Sequence, residues 1–209
     1  MKNSILVFDF DGTIADTFEN LLRISNTLSA EFNYSKIEPN EVEELKNKSS
    51  QEIIEYLGVP IMKIPTIVAK AKNKLHHEMA FIKPVAGLKE ILLKLKSFGF
   101  CIGILSSNSQ ENVMKFLKKH HLDFFDFITT TSKIWSKNTS LKKLMVNLKA
   151  DPAEVIYIGD ETRDILAAKK AGVKVIAVTW GYNSSKALKA LQPDYLVHSP
   201  EDLMQCVNS

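Results

Sequence analysis

FDFDGT, residues Phe8 to Thr13, is the stretch on which the fold turns. It opens on the last residue of an apolar run, ILVF (5–8), and sets two aspartates one residue apart directly behind it. Carboxylates are costly where a strand is buried on both faces. In extended backbone, side chains two apart point the same way, so Asp9 and Asp11 leave the C-terminal end of the strand side by side. Gly12 permits the turn that brings backbone amides close to a ligand. Open α/β sheets hold their active sites at that end. Two carboxylates so close repel each other and raise a pKa unless a cation sits between them, so the companion is a divalent metal or a shared proton. A strand ending in a polar turn accounts for one Asp followed by Gly, but not for the whole segment.

Outward from this point the same rhythm repeats. CIGIL (101–105), FDFI (125–128), VIYI (155–158), VKVIAV (173–178) and DYLV (194–197) are short and almost continuously apolar, as strands covered on both faces are. Between them lie helical patterns: GLKEILLKLKSFG, SQENVMKFLKKHH, TSLKKLMVNLK and TRDILAAKKAG. Alternating strand and helix predicts an α/β fold, a Rossmann-like doubly wound parallel sheet. Residues 15–83 break the rhythm, with periodic apolar positions, no strand, and Pro39, Gly58, Pro60 and Pro65 as punctuation. They predict a small helical domain inserted after the first strand, with 1–14 and 84–209 forming the α/β core. Near the end, Ser199, Pro200 and Asp202 supply an N-cap, a first-position proline and an acidic third residue for a last helix.

Three further segments carry chemistry. In VIYIGDETRD a strand runs into Gly159, Asp160 and Glu161, with Asp164 four residues after Asp160, so that the two aspartates share a face of a helix's first turn. Acids at a helix start are also favoured by the macrodipole, with Arg163 as a surface ion-pair partner. In ILSSNS, Ser106 and Ser107 stand at a strand end before a helix, where hydroxyls and free amides make an anion cradle, while Ser109 reads as the N-cap. Lys137 precedes a helix whose start Asn138, Thr139 or Ser140 would cap; a lone lysine is usually a solvated charge, and Lys133 competes for the same role.

Together, a DxD after strand one, a hydroxyl after CIGIL, a loop lysine and a GDxxxD after VIYI resemble the haloacid dehalogenase-like hydrolase superfamily, in its phosphoglycolate phosphatase branch. KPVAGLKEILLKLKSFGF and GDETRDILAAKKAGVKVIAVTWGYNS share that branch's phrasing, so the likeness spans nearly the whole chain. It implies that the inserted helices are a cap and that the core is an aspartate-based phosphatase. By that resemblance Asp9 is the nucleophile that forms an aspartyl-phosphate, and Asp11 protonates the leaving oxygen and then activates water. Mg²⁺ is bound by Asp9, the backbone carbonyl of Asp11 and Asp160, with Asp164 behind them, while Ser106, Ser107 and Lys137 hold the phosphoryl oxygens. Within the cap, LKNKSSQEI, with Lys46 and Lys48, is the stretch to search for contacts to an anionic leaving group. Adjacent His76 and His77 point to different faces without an acidic partner there and read as packing, as do Trp180, Gly181 and Tyr182, although these three also stand on the catalytic side.

Composition agrees with this reading and narrows it. The 209 residues are 45% apolar and 24% charged, an ordinary globular balance. With 27 basic and 24 acidic residues the net charge is +3, spread along the chain rather than gathered in a block, so a nucleic-acid partner is not expected. Two cysteines, Cys101 and Cys206, are too few for a disulfide framework or zinc cluster. Asp9 and Asp11 interrupt the N-terminal apolar run before it reaches signal-peptide length, and no long apolar stretch follows, so the expectation is a cytoplasmic protein without membrane contact, monomer or homodimer. The expected substrate is a small phosphorylated metabolite; phosphoglycolate, a sugar phosphate, a nucleotide and pyrophosphate all stay open. A phosphosugar mutase shares the nucleophile and acid. A dehalogenase needs neither Asp11 nor the Asp160 pair, and a non-catalytic partner-binding module predicts a decayed site.

Overall fold

The computed structural model describes residues 5–131 and 137–207. Among them six parallel strands form one sheet: β1 (Ile5–Phe8), β2 (Cys101–Ser106), β3 (Phe127–Thr130), β4 (Val155–Gly159), β5 (Lys174–Val178) and β6 (Tyr195–Val197), in the order β3-β2-β1-β4-β5-β6. The order reverses at β1, which pairs with β2 on one side and β4 on the other, so the ends of these three strands meet at the switch point where such sheets bind ligands. Alternation within each strand divides the core. Leu6, Phe8, Ile102, Ile104, Ile156, Ile158, Ile176 and Val178 face one apolar cluster, and Val7, Leu105, Val155, Tyr157, Val175 and Ala177 face the other.

Between β1 and β2 the chain forms α1 (Phe18–Phe32), α2 (Val42–Leu45), α3 (Ser50–Tyr56), α4 (Ile64–Glu78) and α5 (Leu88–Ser97). The first four fill the interval expected to be helical. Ile24, Leu28 and Phe32 of α1 and Leu75 of α4 belong to the cluster that also holds Phe8, Phe10 and Phe116. The inner face of the insertion thus shares the core of the sheet instead of having one of its own. Further on come α6 (Gln110–Lys119), α7 (Lys137–Leu148), α8 (Thr162–Ala171), α9 (Ser185–Ala190) and α10 (Leu203–Val207). Ser109 caps α6 by accepting the Asn112 N–H at 3.2 Å. Pro200–Asp202 forms a 3-10 turn opened by Ser199 that leads into α10.

Two expectations shift. The third strand begins two residues later than FDFI suggests, because Asp126 anchors the chain there: its carboxylate accepts the Ile102 N–H at 2.8 Å and the Lys96 ammonium at 2.6 Å. Pairing then runs on through Thr129 and Thr130, residues an apolar-run reading passes over at a sheet edge. Lys137 lies within α7 rather than in a loop ahead of it, so Asn138, Thr139 and Ser140 are helical and none is an N-cap. Lys133 lies outside the described residues. Among those described, no helix is long and apolar enough to cross a membrane.

Candidate active site

The carboxylates of Asp9, Asp160 and Asp164 converge at the ends of β1 and β4, with ligand oxygens all within 4.8 Å of one another, and all three residues are buried. Asp9 follows β1 directly, and its N–H still donates to the Ile158 carbonyl at 2.8 Å, so the ladder holds the backbone beneath the carboxylate. Asp160 takes the equivalent place after β4, and Asp164 lies in the first turn of α8, where it accepts the Glu161 N–H at 3.1 Å. Lys137 closes the group. Its ammonium pairs with Asp9 Oδ2 and with Asp164 Oδ1, the latter at 2.5 Å, and its side chain is 3% exposed. Burial alone draws Lys137 down, but Asp164 and Asp9 outweigh it and hold its pKa well above the ordinary value. The lysine that reads as a solvated charge in sequence is an internal cation.

Asp160 is positioned from both sides. The Thr13 hydroxyl donates to its Oδ1 at 2.6 Å, and the Tyr182 N–H donates to its Oδ2 at 2.8 Å. The loop after β5 makes this approach only because it carries Gly181, where a Cβ would lie 2.2 Å from Asp160 Oδ2. Gly12, at φ +77°, comes equally close from the other side. Since Gly181 has no left-handed strain to confuse the result, Gly181→Ala is expected to displace the carboxylate and lower kcat/KM on the order of 100-fold. Retention of more than half the wild-type value in steady-state assays would show that the Asp160 position is not critical.

Asp11 stands apart from this group. Its carboxylate is not among the converging three. The side chain lines a cavity of about 390 Å³ between the strand ends and the inserted helices. The Asn108 amide donates to both of its oxygens at 3.1 Å. Burial, and after it the charge of Asp9, raises the Asp11 pKa to about 7, so it holds a proton up to neutral pH. Ser106 is fully buried, and its Oγ accepts the Asn108 N–H at 2.9 Å, while Ser107 lines the cavity.

The arrangement is a nucleophile-sized acid beside an internal lysine, a proton-bearing acid facing a cavity, and a third and fourth carboxylate behind them. The sequence profile described as haloacid dehalogenase-like hydrolase matches residues 6–178. The chain belongs to the haloacid dehalogenase-like hydrolases. It is 34% identical over 203 residues to a phosphoglycolate phosphatase of Synechococcus elongatus, covering 97% of this chain and 96% of that protein. A pyrophosphatase PpaX of Halalkalibacterium halodurans is 30% identical over 222 residues, 99% of this chain and 98% of its own length. Among solved structures, a haloacid dehalogenase-like family hydrolase from Streptococcus pneumoniae superposes with a TM-score of 0.79 at 20% identity over 98% of each chain, a likeness of fold. This haloacid dehalogenase-like chain is a phosphatase.

Several residues of the phosphatase site escape a sequence reading. Asn108 appears in ILSSNS only as a neighbour of the serines, yet its amide is the partner of Asp11. Thr13 reads as the tail of DFDGT and turns out to hold Asp160. Arg163, expected at the surface, has a side chain only 22% exposed and pairs with Glu161. Tyr182 and Trp180 shape the site, with the Tyr182 hydroxyl 3.0 Å from Thr17 Oγ1 and the Trp180 N–H donating to the Thr13 carbonyl at 3.1 Å. Lys46 and Lys48 do line the cavity, but their ammoniums are matched by Glu43 at 3.0 Å and Glu44 at 3.3 Å. Their backbone carbonyls accept from the Asn183 amide at 3.0 and 2.9 Å, which docks this stretch on the loop after β5. His76 has partners that the sequence does not reveal, Asn112 at 2.7 Å and Glu111 at 3.5 Å, both on α6.

Proposed function

We propose that the chain is a Mg²⁺-dependent phosphatase that hydrolyses a small phosphorylated metabolite through an aspartyl-phosphate. The observation that carries this reading is the setting of Asp9. It is a buried carboxylate fixed between Lys137 and two further carboxylates, next to an acid that keeps its proton near neutral pH. An Asp9 oxygen attacks phosphorus as the ester P–O bond breaks, and Asp11 passes its proton to the departing oxygen. Asp11, now a carboxylate, takes a proton from water, whose oxygen attacks the aspartyl-phosphate, releasing inorganic phosphate and restoring Asp9. Lys137, Ser106 and Ser107 hold the phosphoryl oxygens where charge accumulates.

The donor set suits a hard divalent cation: carboxylate oxygens crowded in a buried space, with Asp160 driven well above the ordinary range by burial and then by Glu161 and Asp9. Asp9 and Asp160, with the Asp11 carbonyl, would hold Mg²⁺. Both oxygens of Asp164 are already engaged, by Lys137 and by the Glu161 N–H, which suits it to orienting that lysine. The cation supplies charge neutralisation at the phosphoryl group. Phosphoglycolate and sugar phosphates are the substrates to try first, since a phosphoglycolate phosphatase is among the relatives.

Hydrolysis of p-nitrophenyl phosphate by the purified protein is expected to require Mg²⁺ and to fall by on the order of 10³-fold in EDTA, the equivalent of several kcal/mol of charge stabilisation. Turnover unaffected by EDTA would remove the metal from the scheme. With a hexose phosphate, release of inorganic phosphate in place of an isomeric sugar phosphate separates hydrolysis from mutase chemistry.

A further inference from the structure

The walls of the cavity facing Asp11 are largely apolar, among them Leu21, Ile53, Leu57, Ile67 and Val68, yet four cations reach it: Lys46, Lys48, Lys72 and Arg163. Lys46 and Lys48 are neutralised by Glu43 and Glu44 and lie over the rings of Phe18 and Tyr56. Among the described residues Lys72 has no such counterion, and Arg163 has one on Nη2 alone. Lys72, half-buried on α4, makes no ion pair among the described residues, while its backbone carbonyl accepts from the Asn112 amide at 3.1 Å. Arg163 pairs through Nη2 with Glu161, while its Nε is buried without a partner among the described residues. Lys72, Arg163 and Asp11 all line the one cavity, and burial lowers the Lys72 pKa while Asp11 opposes this and Arg163 adds to it. An unpaired ammonium beside an apolar wall is costly, and an oxyanion held in the cavity by Lys72 and by the Arg163 guanidinium that lines it relieves that cost.

We propose that Lys72 and Arg163 form a receptor for a second oxyanion, carried by the leaving group within a few bonds of the ester oxygen that Asp11 protonates. The proposal rests on the phosphatase reading for the placement of the leaving group, and it assigns specificity to one residue of the inserted helices and one of the core. Closure of the receptor joins the two parts: Ser50 of α3 donates to Glu161 at 3.1 Å, and Glu161 in turn orients Arg163. The oxyanion is a carboxylate, as in phosphoglycolate, or a phosphate, as in pyrophosphate. A neutral leaving group of the same size gains nothing from the pair.

The test compares kcat/KM for phosphoglycolate, pyrophosphate and 2-hydroxyethyl phosphate with Mg²⁺ present. One of the two substrates with an anionic leaving group is expected to exceed 2-hydroxyethyl phosphate, whose leaving group is neutral, by at least about tenfold, the worth of one charge-assisted contact, and which one does so identifies the oxyanion. In Lys72→Met that preference is expected to fall by about tenfold, through KM. Arg163→Lys, which keeps the charge opposite Glu161, is the second variant and loses the preference in part. Binding separates this idea from the chemistry. By calorimetry, 3-phosphonopropionate should bind at least about tenfold tighter than propylphosphonate, and about equally in Lys72→Met. Equal binding of the two phosphonates by the wild type, or a preference untouched in both variants, overturns the receptor. Selective binding without hydrolysis of any ester overturns the phosphatase reading and leaves the receptor standing.

Discussion

Asp9→Asn is expected to lose on the order of 10⁵-fold or more in kcat, since removing the nucleophile of a covalent mechanism costs about 10⁶-fold where it has been measured. The amide keeps the shape of the side chain and cannot form the acyl phosphate. What makes this variant informative is that the fold is expected to survive it. Asp9 is one of three buried carboxylates crowded within 4.8 Å, so making it neutral relieves repulsion, and Lys137 retains Asp164 as a partner at 2.5 Å. The unfolding free energy from urea titration should therefore stay within about 1 kcal/mol of wild type or rise. Loss of activity with the midpoint retained assigns the loss to chemistry. An active Asp9→Asn protein, or one that yields a phosphorylated intermediate on acid quench, would remove Asp9 from the role of nucleophile.

The sequence reveals those parts of the phosphatase that are encoded locally. Asp9 and Asp160 are legible because each ends an apolar run that can only be a covered strand, and a carboxylate there needs a reason. The inserted helices are legible because their apolar period changes from the strand pattern to the helical one. Partners across the fold are not legible. The Asn108 amide and the Asp11 carboxylate are 97 residues apart, and Thr13 and Asp160 are 147 apart, so no spacing rule links them. Lys137 shows a different limit. Its neighbours Asn138, Thr139 and Ser140 advertise a helix start, whereas the lysine is itself helical and its side chain turns inward to Asp9 and Asp164. Arg163 reads as a surface residue because a helix's first turn usually is one; here α3 of the insertion covers it through Ser50 and Glu161. What covers a residue is a property of the assembled chain.

Lys137→Met should be the most damaging single change to the fold among the site residues and should also abolish most turnover. Methionine fills a similar length of apolar space, so packing is largely kept and the charge is what is lost. That charge is the internal counterion of Asp9 and Asp164, both at most 3% exposed in their side chains. Breaking a buried pair by removing one partner typically costs about 3–5 kcal/mol, because the other charge stays behind unpaired. Here two carboxylates are left, with Asp160 beside them. Against a domain stability of roughly 5–15 kcal/mol this is a large share, readable as a fall in the urea midpoint. A divalent cation bound by the same carboxylates would stabilise the variant in proportion to RT ln(1 + [L]/Kd), about 2.7 kcal/mol at a hundredfold excess over Kd. Mg²⁺ should therefore restore much of the lost midpoint without restoring turnover, since the lysine's contact to the phosphoryl oxygens is still missing. A Lys137→Met protein as stable as wild type in EDTA would mean that the ion pairs contribute nothing net. One that keeps more than a tenth of kcat would mean that the phosphoryl group is held by Ser106 and Ser107 alone.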